Sequence, residues 1–144
     1  MLGSEPMGGI LLIDDNANIR ALLRSFVETT TGFEICGEAE NGPDGIEKAK
    51  ELQPDLILLD LTLPGMSGTD AAPILKRLLP HVKIVLFTMH TDGVNQALKS
   101  AFSIDVVLAK SDSITKLKEH LITLLGPVDS ATRMADLRKN TKVN

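Results

Sequence analysis

The sequence predicts an α/β domain of three layers, with helices on both faces of a five-stranded parallel sheet. Three observations predict it. Five short apolar runs alternate with helical patterns between residue 10 and about residue 125. Four of the five are apolar at consecutive positions, as in strands buried on both faces. Each is followed by a segment with apolar residues three or four apart, so a helix separates every strand from the next. Crossovers of this kind are almost always right-handed, and the product is a doubly wound sheet.

The first strand is Ile10-Leu11-Leu12-Ile13. Ile19, Leu22, Leu23, Phe26 and Val27 then fall on one face of a helix that Asn16 or Asn18 can cap and Gly32 can end. Glu34 to Glu40 reads as a second, weaker strand, and Asn41-Gly42-Pro43 as the turn opening a helix with Ile46, Ala49 and Leu52. Leu56-Ile57-Leu58-Leu59 is the most apolar strand, followed by a loop from Leu61 to Gly68. Ile74, Leu75, Leu78 and Leu79 mark the third helix, closed by Pro80, and Ile84 to Phe87 the fourth strand. Val94, Ala97, Leu98, Ala101 and Phe102 mark a fourth helix, and Val106 to Leu108 the fifth strand. Ser111 or Ser113 then caps a fifth helix carrying Ile114, Leu117, Leu121, Leu124 and Leu125. The expected organisation is a disordered leader or expression remnant over 1–8, one domain over 9–126, and a tail or truncated linker over 127–144.

Composition narrows the function. The 144 residues are 43% hydrophobic and 24% charged, as in a globular domain with a real core. Aromatic residues are only 3%, with no Trp or Tyr, so the core is aliphatic. A net charge of −4 provides no general attraction to nucleic acid, and no direct nucleic-acid binding is expected of the chain. Cys36 is the one cysteine, which rules out an intrachain disulfide and reads as a buried small hydrophobe. No apolar run approaches the roughly 18–20 residues of a membrane helix. The first residues carry no basic, apolar signal-peptide pattern. A cytoplasmic protein without membrane contact is expected.

The polar residues gather at one place. Asp14 and Asp15 follow the first strand, Asp60 the third, Thr88 the fourth and Lys110 the fifth. In a parallel sheet these ends share one rim, and open α/β sheets bind ligands in the crevice outside it. Any one of these residues is ordinary, since an Asp after a strand usually serves a turn or a helix cap. Together they deliver three carboxylates, a hydroxyl and an ammonium to one crevice. The carboxylates repel one another unless a cation sits among them, and Mg²⁺ (or Mn²⁺) suits a few carboxylates plus phosphate oxygens. Lys110 and Thr88 can stabilise the spread charge of a transferring phosphoryl group. A carboxylate can itself be the nucleophile. Asp60 is the best candidate, because the Pro- and Gly-containing loop after it leaves it accessible. Asp14 and Asp15 are better placed as metal holders. Neither G-x-G-x-x-G nor G-x-x-x-x-G-K-[ST] occurs, which disfavours a nucleotide-binding enzyme.

The segments LLIDDN (11–16), DLILLDLTLPGMSG (55–68), VLFTMH (85–90) and VVLAKSD (106–112) closely resemble the receiver domain of two-component response regulators, from about Ile10 to Leu125. The resemblance implies a flavodoxin-like strand order 2-1-3-4-5. It implies phosphoryl transfer from a sensor histidine kinase to Asp60, with Mg²⁺ held by Asp14, Asp15, Asp60 and the backbone carbonyl of Thr62. Lys110 would pair with the phosphoryl group or with Asp60. Thr88 would swing toward the phosphate and carry the signal to the face of the fourth helix, fifth strand and fifth helix, which also leaves room for a homodimer. Thr62 and His90 would tune access of the hydrolytic water. LTLPGMSG looks most like regulators with a helix-turn-helix output domain, so the output is expected in the same or a separate protein.

One position departs from the family pattern. An aromatic switch residue often stands three places before the lysine, and here that residue is Val107. The resemblance then implies intact phosphorylation with altered output coupling. It describes a signalling switch that is not a metabolic enzyme. Two alternatives remain: a phosphorylation-independent pseudo-receiver, and a haloacid-dehalogenase-type phosphohydrolase. The latter is disfavoured because the first strand ends D-D-N in place of D-x-D.

Overall fold

The structure, a computed structural model, describes residues 9–89, 102–111 and 114–126. Its elements are β1 (Gly9–Ile13), α1 (Ala17–Thr30), β2 (Glu34–Ala39), α2 (Gly42–Leu52), β3 (Leu56–Leu59), α3 (Gly68–Leu78), β4 (Lys83–Thr88), β5 (Val106–Ala109) and α4 (Ile114–Leu125). The helix expected from Val94 lies outside the described residues except for Phe102, which is in a turn. The fifth expected helix is therefore α4.

All four strand pairings are parallel, and the order is β2-β1-β3-β4-β5. Ile13 pairs with both Ala39 and Leu59, so β1, β2 and β3 end level with one another. Thr88 pairs with Ala109 at the corresponding end of β4 and β5.

The unbroken apolar strands alternate between two cores. Ile10 and Leu12 pack on one face with Leu23 and Val27 of α1 and Leu117 and Leu121 of α4. Leu11 and Ile13 pack on the other with Ile46 and Ala49 of α2 and Ala71, Ala72 and Leu75 of α3. Ile10 to Ile13 are all fully buried, and burying each such side chain is worth about 1.5–3 kcal/mol. β1 and β3 both lie inside the sheet, and each runs directly into an aspartate, Asp14 and Asp60.

Local chemistry sets the helix starts. The Asn16 side chain accepts from the amides of Asn18 and Ile19 and opens α1. Asn41 accepts from the Asp44 amide, and Pro43 sits in the first turn of α2. Ser67 and Asp70 form a reciprocal capping box at α3. Helix α3 begins at Gly68, well before the apolar stretch at Ile74, because Ala71 and Ala72 supply much of its buried face.

Candidate functional site

The expected rim is present, and backbone bonds build it. The Asp14 amide donates to the Ala39 carbonyl at 3.0 Å, the Asp60 amide to Ile13 at 2.9 Å, and the Lys110 amide to Thr88 at 2.7 Å. Each polar residue is thereby fixed to the strand beside it. Lys110 Nζ reaches Asp14 Oδ2 at 2.6 Å and Asp60 Oδ2 at 3.2 Å. All three side chains are nearly closed to solvent. Asp14 Oδ1 accepts from the Asn16 amide at 2.9 Å, and Asp60 Oδ1 from the Thr62 amide at 3.3 Å. Asp15 is exposed at the edge of the group. Thr88 is buried.

Burial raises the Asp60 pKa, and the neighbouring charge of Asp14 raises it further; Lys110 and the Thr62 amide oppose this without cancelling it. For Lys110, burial works against the charge, but its bonds to Asp14 and the nearby Asp60 prevail and hold its pKa above the ordinary lysine value. One ammonium faces three carboxyl groups, an acidic surplus that a divalent cation offsets.

The acids also fit a cation sterically. Asp14, Asp15 and Asp60 each offer an oxygen within 4.8 Å of the others. Octahedral Mg²⁺ with bonds of about 2.0–2.1 Å sets its ligands roughly 3–4.2 Å apart, so a small contraction closes the set.

A cavity of about 260 Å³ opens onto this group, lined by Asp15, Asn16, Asp60, Thr62, Thr88, Met89 and Lys110. Asp60 is only 6% exposed but lines the cavity floor. The loop turns back over Asp60 because Gly68 lies directly against it: the Gly68 amide donates to the Leu61 carbonyl at 2.8 Å, and a Cβ on Gly68 would stand 2.3 Å from the Asp60 carbonyl oxygen. Met89 lines the cavity mouth and is 62% exposed. Val107 lies on β5 and packs against the core on the α2–α3 side. His90 and Ser113 fall outside the described residues.

Two features escaped the sequence. Lys110 pairs with Asp60, and it also makes a second, shorter bond to Asp14 that was not foreseen. Arg20 was not singled out, although its Nη1 donates to the Asp14 backbone carbonyl at 2.5 Å. Its place in the second turn of α1, the helix that starts beside the two aspartates, was the available signal.

The sequence matches the response regulator receiver domain family over residues 10–122. The chain belongs to this family. This receiver domain is 36% identical to the response regulator protein VraR of Staphylococcus saprophyticus over 112 residues, 76% of this chain and 53% of VraR. It is 40% identical to the chemotaxis protein CheY of Thermotoga maritima over 77 residues, 54% of this chain and 63% of CheY. The chain therefore spans between half and two-thirds of the length of these two relatives. The structure resembles the response regulator TrrA of Thermotoga maritima, solved in complex with Mg²⁺ and BeF, with a TM-score of 0.74 at 34% identity, covering 83% of this chain and all of that one. The receiver fold and its place in two-component signalling follow from these matches. Among the described residues no helix is long and apolar enough to cross a membrane.

Proposed function

We propose that Asp60 accepts a phosphoryl group from a sensor histidine kinase, in a Mg²⁺-dependent reaction, and that the change of charge switches the domain toward its output. The observation that carries this reading is one lysine bridging two buried carboxylates from β1 and β3, with a third carboxylate within metal-ligand reach. The TrrA complex with Mg²⁺ and BeF supports it by likeness. Asp14, Asp15, Asp60 and the Thr62 carbonyl would hold the cation, or Mn²⁺ in its place. When bound, it supplies charge neutralisation at the phosphoryl oxygens.

An Asp60 oxygen attacks phosphorus. The bond to the donor imidazole nitrogen breaks as the oxygen–phosphorus bond forms, and the product is an acyl phosphate. Lys110 leaves Asp60 Oδ2 for a phosphoryl oxygen while keeping Asp14, its nearer partner. The Thr88 hydroxyl donates to a second phosphoryl oxygen. Thr62, on the cavity wall, and His90 after β4 tune entry of the water that later hydrolyses the product.

The signal leaves through β4, β5 and the neighbouring helices, toward an output domain in the same or a separate protein, or toward a homodimer through that face. With Val107 at the switch position, the coupling runs without a rotating ring. The domain performs no turnover beyond its own phosphorylation and dephosphorylation, acts in the cytoplasm and does not itself bind nucleic acid. The functional unit is 9–126, followed by a linker or tail over 127–144.

Incubation with Mg²⁺ and a small acyl phosphate should add the mass of one phosphoryl group, and Asp60→Asn should prevent it. A wild-type chain that never gains the mass with metal present, or an Asp60→Asn chain that still does, refutes the proposal.

A further inference from the structure

Arg20 stands behind the acidic rim and takes no part in the steps above. Its side chain is largely buried, and its guanidinium makes two bonds at once. Nη1 donates to the Asp14 carbonyl oxygen at 2.5 Å, and Nε donates to Glu38 Oε1 at 2.9 Å. Glu38 lies on β2, paired with Leu12 of β1. Its other oxygen accepts from Arg24 Nε at 2.7 Å, and its backbone carbonyl accepts from Lys48 Nζ at 2.5 Å. Glu38 is thus a fixed post: Arg20 cannot swing away from Asp14 without breaking a charge-assisted bond to an anchored partner.

The carbonyl that Arg20 grips belongs to the peptide joining Asp14 to Asp15. Asp14 is independently held through its amide by Ala39 and through its carboxylate by the Asn16 amide and Lys110. Asp15 is exposed at the rim and shares that peptide, so the peptide's tilt sets the direction in which its side chain leaves the backbone. We infer that Arg20, locked by Glu38, is a positioning residue that fixes the Asp14–Asp15 peptide and thereby holds the Asp15 carboxylate within reach of the metal. The inference rests on the metal-dependent reading proposed above and names the regulation of that same site.

The sign of the effect separates this role from a purely electrostatic one. As a bare charge, Arg20 repels an incoming divalent cation, and removing it would tighten binding. As a brace, removing it loosens the site. Partners outside the ligand shell typically alter metal affinity by about 10–100-fold.

The test is Mn²⁺ binding to the folded full chain, followed by electron paramagnetic resonance of the free ion. Arg20→Met keeps the aliphatic stem and loses the donors. Arg24→Met loses a guanidinium from the same network but no contact with Asp14. Arg20→Met should bind Mn²⁺ about 10-fold more weakly or worse, and Arg24→Met within about 3-fold of wild type. Phosphorylation of Arg20→Met by a small acyl phosphate should recover at saturating Mn²⁺. Unchanged or tighter Mn²⁺ binding by Arg20→Met overturns the inference even if its melting temperature falls, because a merely structural arginine moves stability and leaves the folded site's affinity alone. Equal weakening by Arg24→Met, or a phosphorylation defect that persists at saturating Mn²⁺, also overturns it. If Arg20→Met does not fold, Glu38→Gln carries the same test, with binding about 10-fold weaker expected and wild-type affinity refuting the brace. A wild-type chain that neither binds Mn²⁺ nor gains the phosphoryl mass refutes the proposed function together with this inference. A functional wild type with an unaffected Arg20→Met refutes the brace alone.

Discussion

Adding one methyl group at Gly68 should damage both the fold and the site. The new Cβ would lie 2.3 Å from the Asp60 carbonyl oxygen and 3.0 Å from both the Asp60 carbonyl carbon and the Leu61 Cα. A carbon–oxygen contact of about 3.3 Å is comfortable, so α3 and the end of β3 must separate by roughly 1 Å. Both sides of the contact are backbone, and no rotamer change relieves it. Overpacking of this kind costs about 1–3 kcal/mol, while replacing Gly by Ala in a helix returns about 0.5–1 kcal/mol. At the midpoints a net loss of about 1.3 kcal/mol remains, which at roughly 4 °C per kcal/mol for a domain of this size lowers Tm by about 5 °C. Gly37→Ala is the matched control. Its Cβ would meet Leu52 Cδ1 at 2.5 Å, but that atom ends a side chain 39% exposed, which can rotate away. Scanning calorimetry of the two variants decides the matter, with Mn²⁺ titration reading the displacement of Asp60. A Gly68→Ala protein as stable as wild type, or a Gly37→Ala protein equally damaged, refutes the reasoning.

Asp60→Asn should raise Tm in the presence of chelator at neutral pH. The folded pKa of Asp60 lies above its ordinary value of 3.8, so the unfolded chain ionises first and the charge disfavours the metal-free fold. The stability gap between variant and wild type should therefore open as pH rises above about 3.8, and a gap that is absent or reversed counts against the assigned burial and Asp14 repulsion. Lys110→Met leaves two buried carboxylates without their partner and should cost about 3 kcal/mol in urea unfolding without metal, with a smaller loss at saturating Mg²⁺. Glu38 shows the opposite pH behaviour: burial pushes its pKa up, but Arg24 and Arg20 outweigh this and hold it below the ordinary 4.5. Its stabilisation is present above pH 4.5 and disappears as pH falls through the depressed value, so Glu38→Gln should flatten the acid limb of a pH–Tm profile.

The architecture was legible because its signals are local. Ile10 to Ile13 and Leu56 to Leu59 read as buried strands from composition alone, and both are almost wholly buried. The rim followed from one topological fact: parallel strands end on the same side, so Asp14, Asp60, Thr88 and Lys110 could be gathered from sequence positions far apart. What the sequence left unread depends on distances across the assembled fold. The preference of Lys110 for Asp14, the burial of Asp60 and the grip of Arg20 on a backbone carbonyl have no spacing signature. The loop reads as ending at Gly68, where α3 begins, although Ala71 and Ala72 on its buried face give a weaker apolar period than Ile74 and Leu75.

The two walls of the cavity differ in stiffness. Asp14 and Asp60 hang from strands that have neighbours on either side and a core on each face, whereas Lys110 hangs from β5, which stands at the margin of the sheet with Val106, Val107 and Ala109 partly open to solvent. A force applied between the walls deforms the softer one. If Asp60 gains charge as proposed, the aspartate side would act as an anvil and the margin would yield, giving the message a direction of travel before any partner arrives.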